Sequence, residues 1–97
     1  MELMTNIILS DLALNDIDEI LASVYEFTGF ISTPQKLQQE FNKTFELIAF
    51  MPQAIGRMRN DGTREAFCRG YRIVYDILGD EVHIKTIIHS RRLYPRP

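Results

Sequence analysis

The 97-residue chain predicts one α+β domain, residues 1–97, in the order β-α-α-β-β-β: an N-terminal strand and an antiparallel helical hairpin packed on a C-terminal three-stranded antiparallel meander. Three observations carry this. Two consecutive segments place apolar residues at helical spacing, the stretch from Gly70 to Arg92 alternates with the period of strands, and a Gly-Asp pair divides that stretch in two.

Thr5 to Leu9 is short and apolar and reads as the first strand. Ser10 then supplies an N-cap and Asp11 an acidic first turn, which suits the positive end of a helix dipole. Ala13, Ile17, Ile20, Leu21 and Val24 form the buried stripe, while Asp16, Asp18, Glu19 and Ser23 fall on other sides. The helix ends near Thr28, where Gly29 provides a C-terminal cap.

Thr33-Pro34 opens the second helix, with proline where its missing N–H costs nothing. Its stripe is Leu37, Phe41, Thr44, Phe45 and Ile48, and Pro52 stops it near Phe50. Leu14, Tyr25, Phe27, Leu47 and Phe50 do not all fit these stripes. They either widen the core contact or mark a partner groove. Met51 to Thr63 carries Pro52, Gly56 and Asn60-Asp61-Gly62 and reads as a loop, and Arg64 to Cys68 as a strand.

The hairpin that follows has a register set by its turn. With Gly79-Asp80 as the two turn residues, Leu78 faces Glu81, Asp76 faces His83, Val74 faces Lys85 and Arg72 faces Ile87. Ile77, Tyr75, Ile73 and Tyr71 then face Val82, Ile84, Thr86 and Ile88 on the other side. One face is apolar and packs on the helices. The other is expected to present Arg72, Asp76, His83, Lys85 and His89, with Arg91 and Arg92 at the strand exit.

Charge divides the chain in the same way. Up to Ile48 the only cations are Lys36 and Lys43, set against eight carboxylates, whereas nine cations face five carboxylates from Ala49 onward. Such a basic half meets a polyanion or an acidic partner, or is a mixed solvated surface. No apolar run is long enough to span a bilayer, Met1-Glu2-Leu3 lacks the basic start of a secretory signal, and the lone Cys68 fits a reducing cytosol.

No cofactor fingerprint is present, whether P-loop or dinucleotide glycines. No metal site is expected, because six residues of strand separate His83 from His89 by roughly 20 Å and no carboxylate or Cys cluster completes a coordination set. Cys68 lies in a strand beside the core and reads as a structural thiol. Arginine with histidine remains. Arg72, Lys85, His89, Arg91 and Arg92 are able to hold an oxyanion, and His89 to move a proton near neutral pH.

The element order, the run Gly70-Tyr71-Arg72-Ile73-Val74-Tyr75, the terminal His89-Ser90-Arg91-Arg92, and Pro52 with Gly56-Arg57 after the second helix resemble the RelE/ParE superfamily of toxins from type II toxin–antitoxin modules, the His-x-Arg-Arg end being closer to the ParE branch. The resemblance implies a cytoplasmic, growth-inhibiting toxin in a hetero-oligomer with its cognate antitoxin, whose C-terminal segment wraps the helices and sheet. A ParE-like member is a non-enzymatic inhibitor of DNA gyrase. The alternative is a metal-independent, ribosome-dependent endoribonuclease of the RelE type, with Arg72 and Arg92 on the phosphate and His89 as acid or base. A third reading is a weakly toxic antitoxin-binding protein. The nuclease branch carries lysines where this chain has Thr63 and Glu65, so docking through Arg72, Lys85, His89, Arg91 and Arg92 is the expectation.

Overall fold

The computed structural model describes residues 5–91. Strand β1 (Asn6–Leu9) leads into helix α1 (Asp11–Thr28), helix α2 (Ser32–Phe50) and a single helical turn α3 (Pro52–Ile55). The two-residue strand β2 (Arg57–Met58) and strands β3 (Arg64–Cys68), β4 (Tyr71–Leu78) and β5 (Glu81–His89) complete the chain. All five strands form one sheet, in the order β1-β5-β4-β3-β2. The meander is antiparallel, and β1 joins it parallel to β5, so the chain must cross back over the sheet between them. The helical hairpin makes that crossing, and its apolar stripes bury the sheet face they cover.

The core takes most of the predicted residues, with Ile87 in place of Ile88. Ala13 and Ile17 from α1 and Phe41, Phe45 and Ile48 from α2 meet Ala66, Cys68, Ile73, Tyr75, Val82, Ile84 and Ile87 from the sheet. Ser10 caps α1 as expected, its Oγ accepting from Ala13 N at 3.0 Å, and Gly29 closes it with a positive φ of 74°. Leu14, Tyr25, Phe27, Leu47 and Phe50 stay exposed on the outside of the hairpin.

Helix α2 begins earlier than Thr33-Pro34 implies. Its first turn opens at Ser32 with Ile31 before it and no side-chain cap, and Pro34 sits inside that turn, where no N–H is needed. The expected loop over Met51 to Thr63 is also shorter, because distant side chains order it. Tyr75 Oη donates to Pro52 O at 2.7 Å, and Arg64 Nη2 donates to Gln53 O and Gly56 O at 2.6 Å each. These bonds hold α3 and let β2 pair with β3 through Arg57–Glu65 and Met58–Arg64.

The hairpin register needs a larger correction. From the turn to Tyr75–Ile84 the pairs are those predicted, and Gly79 has the positive φ that a type II′ turn requires at its first central residue. Between Val74 and Tyr75 the ladder then shifts by one, and Lys85 is the extra residue of a β-bulge. Beyond it Val74 pairs with Thr86, Ile73 with Ile87, Arg72 with Ile88 and Tyr71 with His89. A bulge reverses the inward and outward alternation of the rest of its strand. Ile87 therefore joins the core, and His89 falls on the helix side of the sheet.

The bulge is held from α1. Ser10 Oγ donates to Lys85 O at 2.7 Å, and Ser10 N donates to Ile84 O at 3.0 Å. Asp16 Oδ2 accepts from Ile87 N at 3.0 Å and from the Thr86 hydroxyl in a shorter bond. Asp16, placed by the sequence pattern away from the buried stripe, is thus buried at the helix–sheet interface. It supplies an acceptor to a backbone N–H in the disrupted stretch of ladder.

Candidate functional site

The sheet face turned away from the helices is built by the outward residues of β3, β4 and β5. Glu65 and Phe67 come from β3, Arg72, Val74 and Asp76 from β4, and Glu81, His83 and Lys85 from the first half of β5. Glu65 is at its centre of charge. Its side chain is only 5 % exposed, and three guanidiniums approach it: Arg59 Nη1 at 3.2 Å from Oε1, Arg57 Nη2 at 3.7 Å from Oε2 and Arg72 Nη1 at 3.8 Å from Oε2. Two of these three, Arg59 and Arg72, are themselves only 13 % exposed. A charge buried this deeply requires opposite charge around it, and the strand pairing provides it, because Arg57 lies directly opposite Glu65 across β2 and β3.

Arg72 thus has a carboxylate beside it, but not a close one. At 3.8 Å the pair is an ion pair without a hydrogen bond, and among the described residues both Glu65 Oε2 and Arg72 Nε are buried with no hydrogen-bond partner. Arg57 points outward, 73 % exposed, with its guanidinium 5.4 Å from the centre of the half-exposed Phe67 ring.

The other anticipated residues separate. Lys85, exposed at the bulge, pairs with Asp76 at 3.4 Å, and His83 contacts Glu81 at 3.0 Å beside the hairpin turn. His89 stands on the opposite side of the sheet from Arg72, edge-on to Tyr71 with ring centres 5.8 Å apart. It lines a cavity of about 230 Å³ with Asp16, Glu19, Ser23 and Tyr71. The shared face anticipated for His83 and His89 is therefore broken by the bulge. Arg91 is exposed in the turn after β5, and its N–H donates to His89 Nδ1 at 3.2 Å; Arg92 lies outside the described residues. Among the described residues no group of three or more His, Cys, Asp or Glu is placed to hold a metal ion.

Thr63, at the other of the two positions where a nuclease would carry lysine, is buried in the turn before β3. Its hydroxyl donates to Asp61 Oδ1 at 2.6 Å and its N–H to the same oxygen at 3.0 Å. These two donors, the hydroxyl first, hold the Asp61 carboxyl below the ordinary 3.8, helped by the Arg59 charge. A lowered folded-state value stabilises the turn above the unfolded value, and that contribution is lost as pH falls through the folded one. In Thr63→Val the Asp61 carboxyl is expected to titrate closer to its ordinary value, read by carbon NMR; an unmoved titration would remove the hydroxyl as the cause.

The outer side of the helical hairpin offers a second kind of surface. Leu21, Ala22, Tyr25, Ile31 and Pro34 line an open apolar groove of about 610 Å³ between α1 and α2. No described helix is long and apolar enough to cross a membrane.

Residues 7–94 match the family model of the ParE toxin of type II toxin–antitoxin systems, and the chain belongs to that family. No protein of curated function matches the sequence. Among solved structures the chain is similar to one from the chromosomal ParDE toxin–antitoxin system of P. aeruginosa, with a TM-score of 0.79 at 19% identity, over 89% of this chain and 96% of that one. It is also similar to a chain of the RelBE2 toxin–antitoxin complex of Mycobacterium tuberculosis, with a TM-score of 0.60 at 22% identity, over 92% and 94%. At these identities the likeness is one of fold.

Proposed function

We propose that this toxin acts in the cytoplasm without catalysing a reaction, inhibits growth by binding DNA gyrase, and is neutralised by a cognate antitoxin that covers the apolar groove of the helical hairpin. The observation that carries the reading is the separation of Arg72 from His89. A metal-independent nuclease needs a cation on the phosphate and a proton carrier within reach of the same phosphodiester. Here the sheet lies between them, and Arg72 is beside the Glu65 carboxylate. Exposed Lys85, His89 and Arg91, with Arg92 beyond them, remain as groups for target or antitoxin contact, and Arg72 supports the outer face from within.

Incubating the purified chain with gyrase, relaxed plasmid and ATP is the direct test. Loss of supercoiling, relieved by adding the antitoxin encoded alongside, is the expected result. Unimpaired supercoiling together with cleavage of messenger RNA in the ribosomal A site would replace this reading with the nuclease one. Unchanged growth on expression without antitoxin would overturn both.

A further inference from the structure

We infer that the cavity between α1 and the open end of the β4–β5 hairpin receives the guanidinium of an arginine carried by a partner protein. The inference does not depend on which cellular target the toxin has.

The first support is a buried carboxylate with one oxygen to spare. Asp16 is 5 % exposed, and its hydrogen bonds from Ile87 N and the Thr86 hydroxyl both end on Oδ2. Among the described residues no donor reaches Oδ1, and the ion pairs of Lys and Arg go to Glu40, Asp61, Glu65 and Asp76, not to Asp16. Oδ1 is not one of the sealed polar atoms of the protein, and Asp16 lines the cavity, so the cavity is its way to solvent. A charge buried this deeply gains from a cation brought against its free oxygen.

The second support is the sign of the surroundings. Helix α1 carries Asp11, Asp16, Asp18, Glu19 and Glu26 and no Lys or Arg. Glu19 and Ser23 stand one and two turns after Asp16, line the same cavity and are exposed, so an outside group can enter past them. His89, also exposed on the lining, accepts the Arg91 N–H on Nδ1 at 3.2 Å, which leaves its ring neutral. No described Lys or Arg lines the cavity.

The spacing of the acceptors decides the kind of cation. Among the described residues no three of His, Cys, Asp and Glu converge on a point where a metal ion could sit. Acceptors held apart suit donors held apart, and a guanidinium spreads five N–H groups over a planar fork, whereas an ammonium is a point charge. Ile20, Ile87 and Ile88 line the rest and pack against the methylenes of the stem. The volume of about 230 Å³ has room for one such side chain.

The test uses the full chain, labelled with carbon-13 and nitrogen-15, and N-acetyl-Ala-Arg-Ala-amide as probe. The citrulline peptide, of the same shape without the charge, is its control. The side-chain carboxyl resonances of Asp16 and Glu19 and the amide of His89 are expected to shift saturably with the arginine peptide, and the citrulline peptide to bind at least about tenfold more weakly. Ser23→Leu, at an exposed helical position where leucine is well tolerated, blocks the cavity and is expected to remove these shifts while the rest of the amide spectrum stays in place. Equal binding of the two peptides, no saturable shift, shifts that persist in Ser23→Leu, or the same shifts from magnesium chloride alone overturn the inference. So does movement of the Asp16 carboxyl resonance in Arg92→Ala or Arg96→Ala without peptide, because an arginine of the chain itself would then be the occupant.

Discussion

Asp16→Ala is expected to lower the unfolding free energy by about 3 kcal/mol, since it removes a buried acceptor from two donors at once and leaves both without a partner. The donors are Ile87 N–H and the Thr86 hydroxyl, at the bulge where β5 changes its alternation. Asp16→Asn keeps one carbonyl oxygen for one of them and is expected to cost less, about 1–2 kcal/mol. Denaturant unfolding of both variants is the measurement. Equal, small losses would show that the bulge holds itself and that Asp16 is incidental to it. Amide exchange gives an independent reading: protection of Ile87 should fall further than that of Val82 or Ile84, whose pairing lies on the turn side of the bulge.

That residue also marks where the sequence stopped being legible. Periodicity found both helices, their stripes, the cap at Ser10 and the turn at Gly79-Asp80, because each is a local property of a few consecutive residues. A bulge is not. Its position depends on what opposes it, and here the opposing groups are Ser10 and Asp16, about seventy residues away in the chain. An uninterrupted alternation through Lys85 was the natural reading, and it carried His89 to the wrong face.

The segment from Met51 to Thr63 was opaque for a related reason. Its turn-forming residues were visible, but α3 and β2 depend on Arg64 and Tyr75, which reach back to it from the sheet. Of the site, the arginines could be listed from the sequence but their grouping could not. Glu65 read as a missing lysine; folded, it is the carboxylate around which Arg57, Arg59 and Arg72 gather.

Glu65→Ala is the second large effect, expected to cost about 3 kcal/mol, the lower end of what breaking a buried ion pair costs. The lower end applies because Arg57 already reaches solvent and Arg59 retains Asp61 at 3.6 Å, whereas Arg72 has no ion pair with another carboxylate among the described residues. What distinguishes an electrostatic loss from a packing loss is its response to anions. A cavity left by a lost side chain is indifferent to them, but three guanidiniums around an empty position are not, and an anion that binds only the folded chain raises stability by mass action. Sulfate at constant ionic strength should therefore restore part of the Glu65→Ala loss, about 2.7 kcal/mol at one hundred times its dissociation constant, and far less in the parent chain. Thermal unfolding in sulfate against chloride reads the difference. If both salts leave the variant equally weak, Glu65 acts by filling space, and the pull of its charge on Arg72 is negligible.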